Sequence, residues 1–173
     1  MAKKVCGVTG HRPNSFPWDY ANKECDSHQD YLEAMACYIK WFIHKHGYNY
    51  FICGGALGVD TDFAEIVIEF RDNVYPEIQL EIAVPCKGQE KNWSPEDKAK
   101  YTELLQKADK VTYVSDAYTP DCMQKRNKYM VNNSDVIFAF WNESIKTGGT
   151  FNTIEYAKKQ NKQIELFILN QYL

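Results

Sequence analysis

Two glycine pairs in the sequence are candidates for binding an anion. Gly54-Gly55 follows an apolar run at 50–53, and Gly148-Gly149 comes just before a second helical pattern. A glycine pair between a strand and a helix leaves backbone amides unhindered beside the positive end of the helix. The loop that starts at Gly54 lacks the Gly-x-Gly-x-x-Gly order of a dinucleotide-binding loop and the Lys-Ser/Thr of a P-loop. The sequence therefore predicts a two-loop anion site, with no support for NAD binding or Mg-ATP hydrolysis.

Other polar residues lie in the loops that follow strands or at the starts of helices. Pro13 favours an extended Arg12, whose guanidinium suits a phosphate or a carboxylate. Asp60 either caps a helix or accepts a hydroxyl, for instance of a ribose, and both roles stay open. Trp93 either stacks on a base or covers the core. The candidate ligand-binding residues are Thr9, Gly10, His11, Arg12, Gly54, Gly55, Ala56, Gly58, Asp60, Pro85, Trp93, Arg126, Asn127, Gly148, Gly149, Thr150, Asn152 and Thr153.

The elements that must position these residues alternate along the chain. Hydrophobic periodicity predicts helices at 26–46, 59–70, 95–108, 121–133 and 150–160. It predicts strands at 4–8, 50–53, 78–84, 111–114, 136–141 and 164–169. Asp26 or Ser27 is the expected N-cap of the first helix, and Ser94 that of the third. This order predicts one α/β domain over 1–173, Rossmann-like and doubly wound, with a mostly parallel sheet and helices on both faces. Ligands of such folds bind at the carboxyl ends of the strands.

Composition narrows the classes of function. The chain has 173 residues and a formal net charge of -3. The negative charge argues against binding to the phosphate backbone of duplex nucleic acid. We expect no membrane span, since no apolar run approaches about 20 residues. With no export signal, we expect a cytoplasmic protein whose six cysteines are thiols. Cys25-x-x-His28 lacks a second ligand pair, so we expect no metal and no cofactor.

Several motifs, in order, resemble those of the YpsA-like branch of the SLOG superfamily. They are Val8-Thr9-Gly10-His11-Arg12-Pro13, Gly54-Gly55-Ala56-x-Gly58-Val59-Asp60 with Ala64, Arg126-Asn127-x-x-Met130-Val131, Ser134-Asp135, and Gly148-Gly149-Thr150 with Thr153. The resemblance implies a Rossmann-like domain and a homo-oligomer. It implies binding of a nucleotide or nucleotide-derived signal between the two glycine loops. The superfamily also includes the DNA-processing protein DprA, so a single-stranded DNA-binding function is a further alternative.

A second alternative comes from the LOG phosphoribohydrolases of the same superfamily, which cut the N-glycosidic bond of nucleoside monophosphates. Met123 to Met130 is similar to a LOG motif and would make Arg126 the catalytic arginine. Glu155 matches the catalytic glutamate only if the turn before it absorbs one extra residue. A shift of one residue rotates a helical side chain by roughly 100°. The resemblance therefore leaves hydrolysis open and favours a binding protein.

Overall fold

A computed structural model describes residues 2–172 and contains six strands and five α-helices. The strands are β1 Val5–Gly10, β2 Tyr50–Cys53, β3 Gln79–Val84, β4 Lys110–Tyr113, β5 Val136–Trp141 and β6 Gln163–Ile168. The helices are α1 Asp26–His46, α2 Val59–Asn73, α3 Pro95–Lys107, α4 Cys122–Asn132 and α5 Gly148–Lys159. Short 3₁₀ helices span Pro13–Ser15 and Leu169–Tyr172.

All five strand pairs are parallel, and the strand order is β4-β3-β2-β1-β5-β6. The predicted Rossmann-like α/β fold is confirmed. Strand order reverses between β1 and β5, which pair as far as Gly10 opposite Phe140. Their carboxyl ends therefore lie side by side, where loops diverge to opposite faces and leave a crevice.

The sheet is buried on both faces, as the unbroken apolar run of β5 indicates. Phe138 and Phe140 pack into a core shared with α1, α2 and α3. Ile137 and Ala139 point the other way, into a smaller core shared with α4 and α5. Alternate side chains of β5 thus pack against three helices on one face of the sheet and two helices on the other.

Helix starts differ in how well the sequence predicts them. Ser94 caps α3 as expected, because its Oγ accepts a hydrogen bond from the amide of Asp97 at 3.1 Å. The prediction of Asp26 or Ser27 as the N-cap of α1 is wrong: Cys25 occupies that position and makes no side-chain capping bond.

Within the described residues, none of the helices combines the length and the apolarity that crossing a bilayer requires.

Candidate functional site

A crevice of about 500 Å³ opens at the carboxyl ends of β1 and β5. Its walls come from the loop after β1, the start of α2, one face of α4 and the start of α5. The predicted site residues that line it are Thr9, Gly10, His11, Arg12, Ala56, Asp60, Arg126, Asn127, Gly148, Gly149 and Thr150. The structure therefore brings together residues up to about 140 positions apart in sequence, at the place that strand order specifies.

Arg126 anchors the centre of this crevice. It lies one turn after Cys122 and one turn before Met130, on the buried face of α4. Its side chain is 8% exposed, and Nη1 donates to the carbonyl of Gly54 and lies 3.7 Å from Oδ2 of Asp60. Its Nε donates to Oδ1 of Asn127 at 2.8 Å. The bonds found in the described part of the chain use Nε and Nη1, so Nη2 is available to a ligand.

Asp60 is the buried counter-ion of Arg126. Burial raises the pKa of the Asp60 carboxyl, and the charge of Arg126 opposes that rise. Oδ2 of Asp60 also accepts a hydrogen bond from the amide of Ala56 at 3.1 Å. The N-cap of α2 is Gly58, so the reading of Asp60 as that cap is wrong. Its carboxylate instead holds the glycine loop closed and balances part of the positive charge in the crevice.

The loop after β1 supplies a second arginine and a buried histidine. Arg12 is exposed and adopts the extended backbone expected before a proline, with φ -76° and ψ 163°. Its charge acts on both Asp60 and Arg126. His11 is 6% exposed, and its Nε2 has no hydrogen-bond partner among the residues described. Burial lowers the pKa of His11 to about 4, so the imidazole is neutral at pH 7.

The start of α5 faces the crevice with free amides. The helix begins at Gly148, two residues earlier than predicted, and its N-cap Thr147 makes no side-chain capping bond. The first turn contains no acidic residue. Unpaired N–H groups and the positive end of the helix dipole favour a bound anion at this position.

One polar residue that supports the site was missed by sequence reasoning. Asn142 is buried directly after β5, and its Nδ2 donates to the carbonyl of Ser15 at 3.0 Å. Its Oδ1 accepts from the amide of Ser144 at 3.1 Å. Asn142 thus ties the loop after β1 to the loop after β5. The available signal was its position, since a polar residue directly after a buried strand lies at the binding edge.

The crevice also has an apolar wall that the sequence reading did not assign. Met123, Met130 and Ile145 line it, from α4 and from the loop before α5. Methionine side chains are flexible and make favourable contacts with aromatic rings. This wall therefore offers a surface for a planar apolar group beside the charged residues.

Some predicted site residues lie elsewhere. Pro85 is buried after β3, and Trp93 packs its ring against Tyr101 at a centroid distance of 5.2 Å. Gly54 packs against the side chain of Arg126, and Gly55 packs against that of Ile82. A Cβ on Gly58 would collide with the backbone of the loop after β1. None of these residues lines the crevice.

Asn152, Thr153 and Glu155 line a separate groove of about 300 Å³ between α4 and α5. The hydroxyl of Thr153 donates to the carbonyl of Gly149 at 2.7 Å within the helix. Glu155 pairs with Lys158 at 2.8 Å. The structure thus separates Glu155 from the crevice that holds Arg126.

The described residues contain no candidate metal-binding cluster. No group of three or more His, Cys, Asp or Glu side chains is placed there to hold an ion. His28 of the Cys25-x-x-His28 pair is buried instead, and its Nδ1 accepts a hydrogen bond from Nε1 of Trp18 at 3.3 Å. Among the described residues, the charged side chains that line the crevice are those of Arg12, Asp60 and Arg126.

Comparison of the sequence with known proteins identifies relatives over most of this chain. The model of the YspA SLOG family matches residues 6–172. The chain is 34% identical over 139 residues to the SPbeta prophage-derived protein YoqJ of Bacillus subtilis strain 168, covering 73% of this chain and 80% of that protein. It is 29% identical over 164 residues to a UPF0398 protein of Bacillus cereus strain B4264, covering 92% of this chain and 85% of the other.

The family match covers the motifs from which the resemblance was drawn, including the two loops and the arginine of α4. It also covers β2 to β6 completely and β1 from Cys6 onwards. The chain therefore belongs to the YpsA family of SLOG proteins.

Proposed function

We propose that this protein binds a nucleotide or a nucleotide-derived ligand in the crevice at the switch point of the sheet. One observation carries the proposal: Arg12, Arg126 and the uncapped start of α5 converge on this crevice. Two guanidinium groups against the single carboxylate of Asp60 leave an excess of positive charge. A phosphate there receives charge-assisted hydrogen bonds from an arginine and from helix amides.

The remaining groups fit the other parts of a nucleotide. Asp60 lies beside the phosphate position, where its second oxygen accepts a hydrogen bond from a ribose hydroxyl. The methionines of α4 and Ile145 offer a contact surface for the base. The neutral imidazole of His11 adds a hydrogen-bonding group with no charge of its own. The ligand class that uses all these groups is a phosphorylated nucleoside.

The placement of Glu155 supports binding over hydrolysis. N-glycosidic cleavage requires a carboxylate that stabilises the positive ribosyl centre in the transition state. Glu155 lies in the neighbouring groove and pairs with Lys158. The carboxylate that lines the crevice, Asp60, is neutralised by Arg126. A ligand held here is therefore expected to leave the protein intact.

Calorimetric titration with the four 5′-nucleoside monophosphates, and with adenosine as a probe that lacks phosphate, tests the proposal. We expect a monophosphate to bind at least tenfold more tightly than adenosine, because the phosphate makes the charge-assisted contacts. Arg12→Ala should weaken the monophosphate about tenfold and leave adenosine unchanged. Lys87→Ala removes an exposed charge outside the crevice and serves as the matched control.

Two results would contradict the proposal. Equal affinities for adenosine and every monophosphate would show that the crevice does not recognise the phosphate. Chromatography of the mixture after incubation should return intact nucleotide. Release of free base that is lost in Glu155→Ala would instead establish the hydrolase.

A further inference from the structure

The groove between α4 and α5 lies next to the crevice. Asn127 lines both spaces, and the start of α5 forms the edge between them. Asn152, Tyr156 and Lys159 follow at spacings of four and three along one face of α5, so they line the groove over about 10 Å. A ligand that occupies the crevice and reaches past Asn127 therefore enters a groove lined by polar side chains.

Gly149 stands at this junction, and the backbone does not require a glycine there. Its φ is not positive, unlike that of Gly148 at 83°, and it lies in the first turn of α5. A Cβ on Gly149 would meet only Nδ2 of Asn127, at the ordinary contact distance of 3.8 Å. A helix ordinarily favours alanine over glycine. The absence of a side chain at position 149 leaves the space beside Asn127 at this junction unfilled.

The groove is suited to a second anionic group. Lys128 lies on its α4 wall and Lys159 on its α5 wall. Neither ammonium forms an ion pair with a carboxylate of the described residues, whereas Glu155 in the same groove already pairs with Lys158. The amides of Gln124 and Asn152 add hydrogen-bonding groups. These side chains favour an extended polar ligand that carries a negative charge some way from the first phosphate.

We propose that the natural ligand is a phosphate-linked dinucleotide, with one unit in the crevice and the second along the α4–α5 groove. The proposal rests on the proposed function, since the first phosphate occupies the crevice. Asn127 contacts the linker at the junction, while Lys128 and Lys159 meet the second phosphate-bearing unit. The absence of a side chain at position 149 leaves room for the linker beside Asn127.

Calorimetry with 5′-AMP and with the 5′-phosphorylated dinucleotide pApA tests this extension. We expect pApA to bind roughly tenfold more tightly than AMP, the gain of one charge-assisted contact. The double variant Lys128→Ala/Lys159→Ala should abolish that gain and leave AMP affinity unchanged. Lys45→Ala/Lys91→Ala removes the same charge from exposed positions elsewhere and should keep the gain.

Gly149→Leu supplies a second test that does not depend on charge. A leucine side chain would fill the space beside Asn127 that the linker needs, so the ratio of pApA to AMP affinity should fall to about one. Gly149→Ala should be at least as resistant to thermal unfolding as the natural chain, because it introduces no clash.

The outcomes separate this inference from the proposed function. Binding of AMP without any gain for pApA overturns the extension alone, as does a gain that survives Lys128→Ala/Lys159→Ala. Failure of both nucleotides to bind overturns the proposed function and the extension with it.

Discussion

Gly54 lies directly against the guanidinium of Arg126. A Cβ at position 54 would be 1.6 Å from Nη1 of the arginine and 2.8 Å from Oδ2 of Asp60. The first glycine of the loop after β2 therefore makes room for an arginine of this same chain. This loop therefore shapes the crevice indirectly, through the positions of Arg126 and Asp60.

Gly54→Ala is expected to destabilise the protein by roughly 2–4 kcal/mol, because Arg126 must leave its position and Asp60 then remains buried without its counter-ion. Nucleotide affinity should fall in parallel. Urea unfolding and calorimetric titration measure the two effects. Gly149→Ala, which introduces no clash, is the matched control for stability. A Gly54→Ala variant as stable as the natural chain would show that Arg126 is not held against this loop.

A pH-dependent contribution to stability is expected from Asp62. This carboxyl accepts hydrogen bonds from the hydroxyls of Tyr20 and Tyr31 at 2.8 and 3.0 Å. Burial raises its pKa from 3.8 to about 6, so the folded state binds a proton more readily than the unfolded state. The contribution of Asp62 to stability therefore rises as the pH falls from about 6 towards 4.

The free energy of unfolding of the natural chain and of Asp62→Asn, measured between pH 4 and 7, isolates this effect. The difference should shift in favour of the natural chain on acidification, by up to roughly 3 kcal/mol for two pH units. A difference that stays constant over this range would mean that the carboxyl titrates alike in both states.

Glu81 should show the opposite dependence on pH. It is 1% exposed and accepts hydrogen bonds from Tyr50, Thr112 and Tyr129 at 2.6 to 2.7 Å, with Lys110 at 3.2 Å. Burial raises the pKa of this carboxyl, but these bonds outweigh burial and hold its pKa below 4.5. Its stabilisation is therefore present above the unfolded pKa and is lost as the pH falls through the folded value.

Glu81→Gln places an amide against several donors and should cost roughly 2–4 kcal/mol at pH 7, with a smaller loss at pH 3. Urea unfolding at both pH values measures the cost. The control is Glu103→Gln, whose carboxylate pairs with Lys107 on the exposed face of α3. That variant should unfold like the natural chain. An equal loss at both pH values for Glu81→Gln would contradict the role of its charge.

The elements and their order could be predicted from the sequence because local patterns carry them. The apolar run of β5 and the Ser94-Pro95 start of α3 both appear in the structure. Alternating strands and helices, together with the right-handed crossover rule, limited the fold to a doubly wound sheet. The same rules placed the binding edge at the carboxyl ends of the strands, but they did not single out the loops after β1 and β5.

The internal contacts of the site were decided only by tertiary structure. Periodicity placed Arg126 on a helix, but not its guanidinium against the carbonyl of Gly54, 72 positions earlier. The parallel sheet brings these two distant segments together, and no local sequence pattern predicts that contact. Tertiary structure also decided the contact of Asn142 between two loops. It likewise decided that Glu155 lies in the groove between α4 and α5. Local propensity sets which elements form, whereas burial and packing between distant elements set which side chains meet.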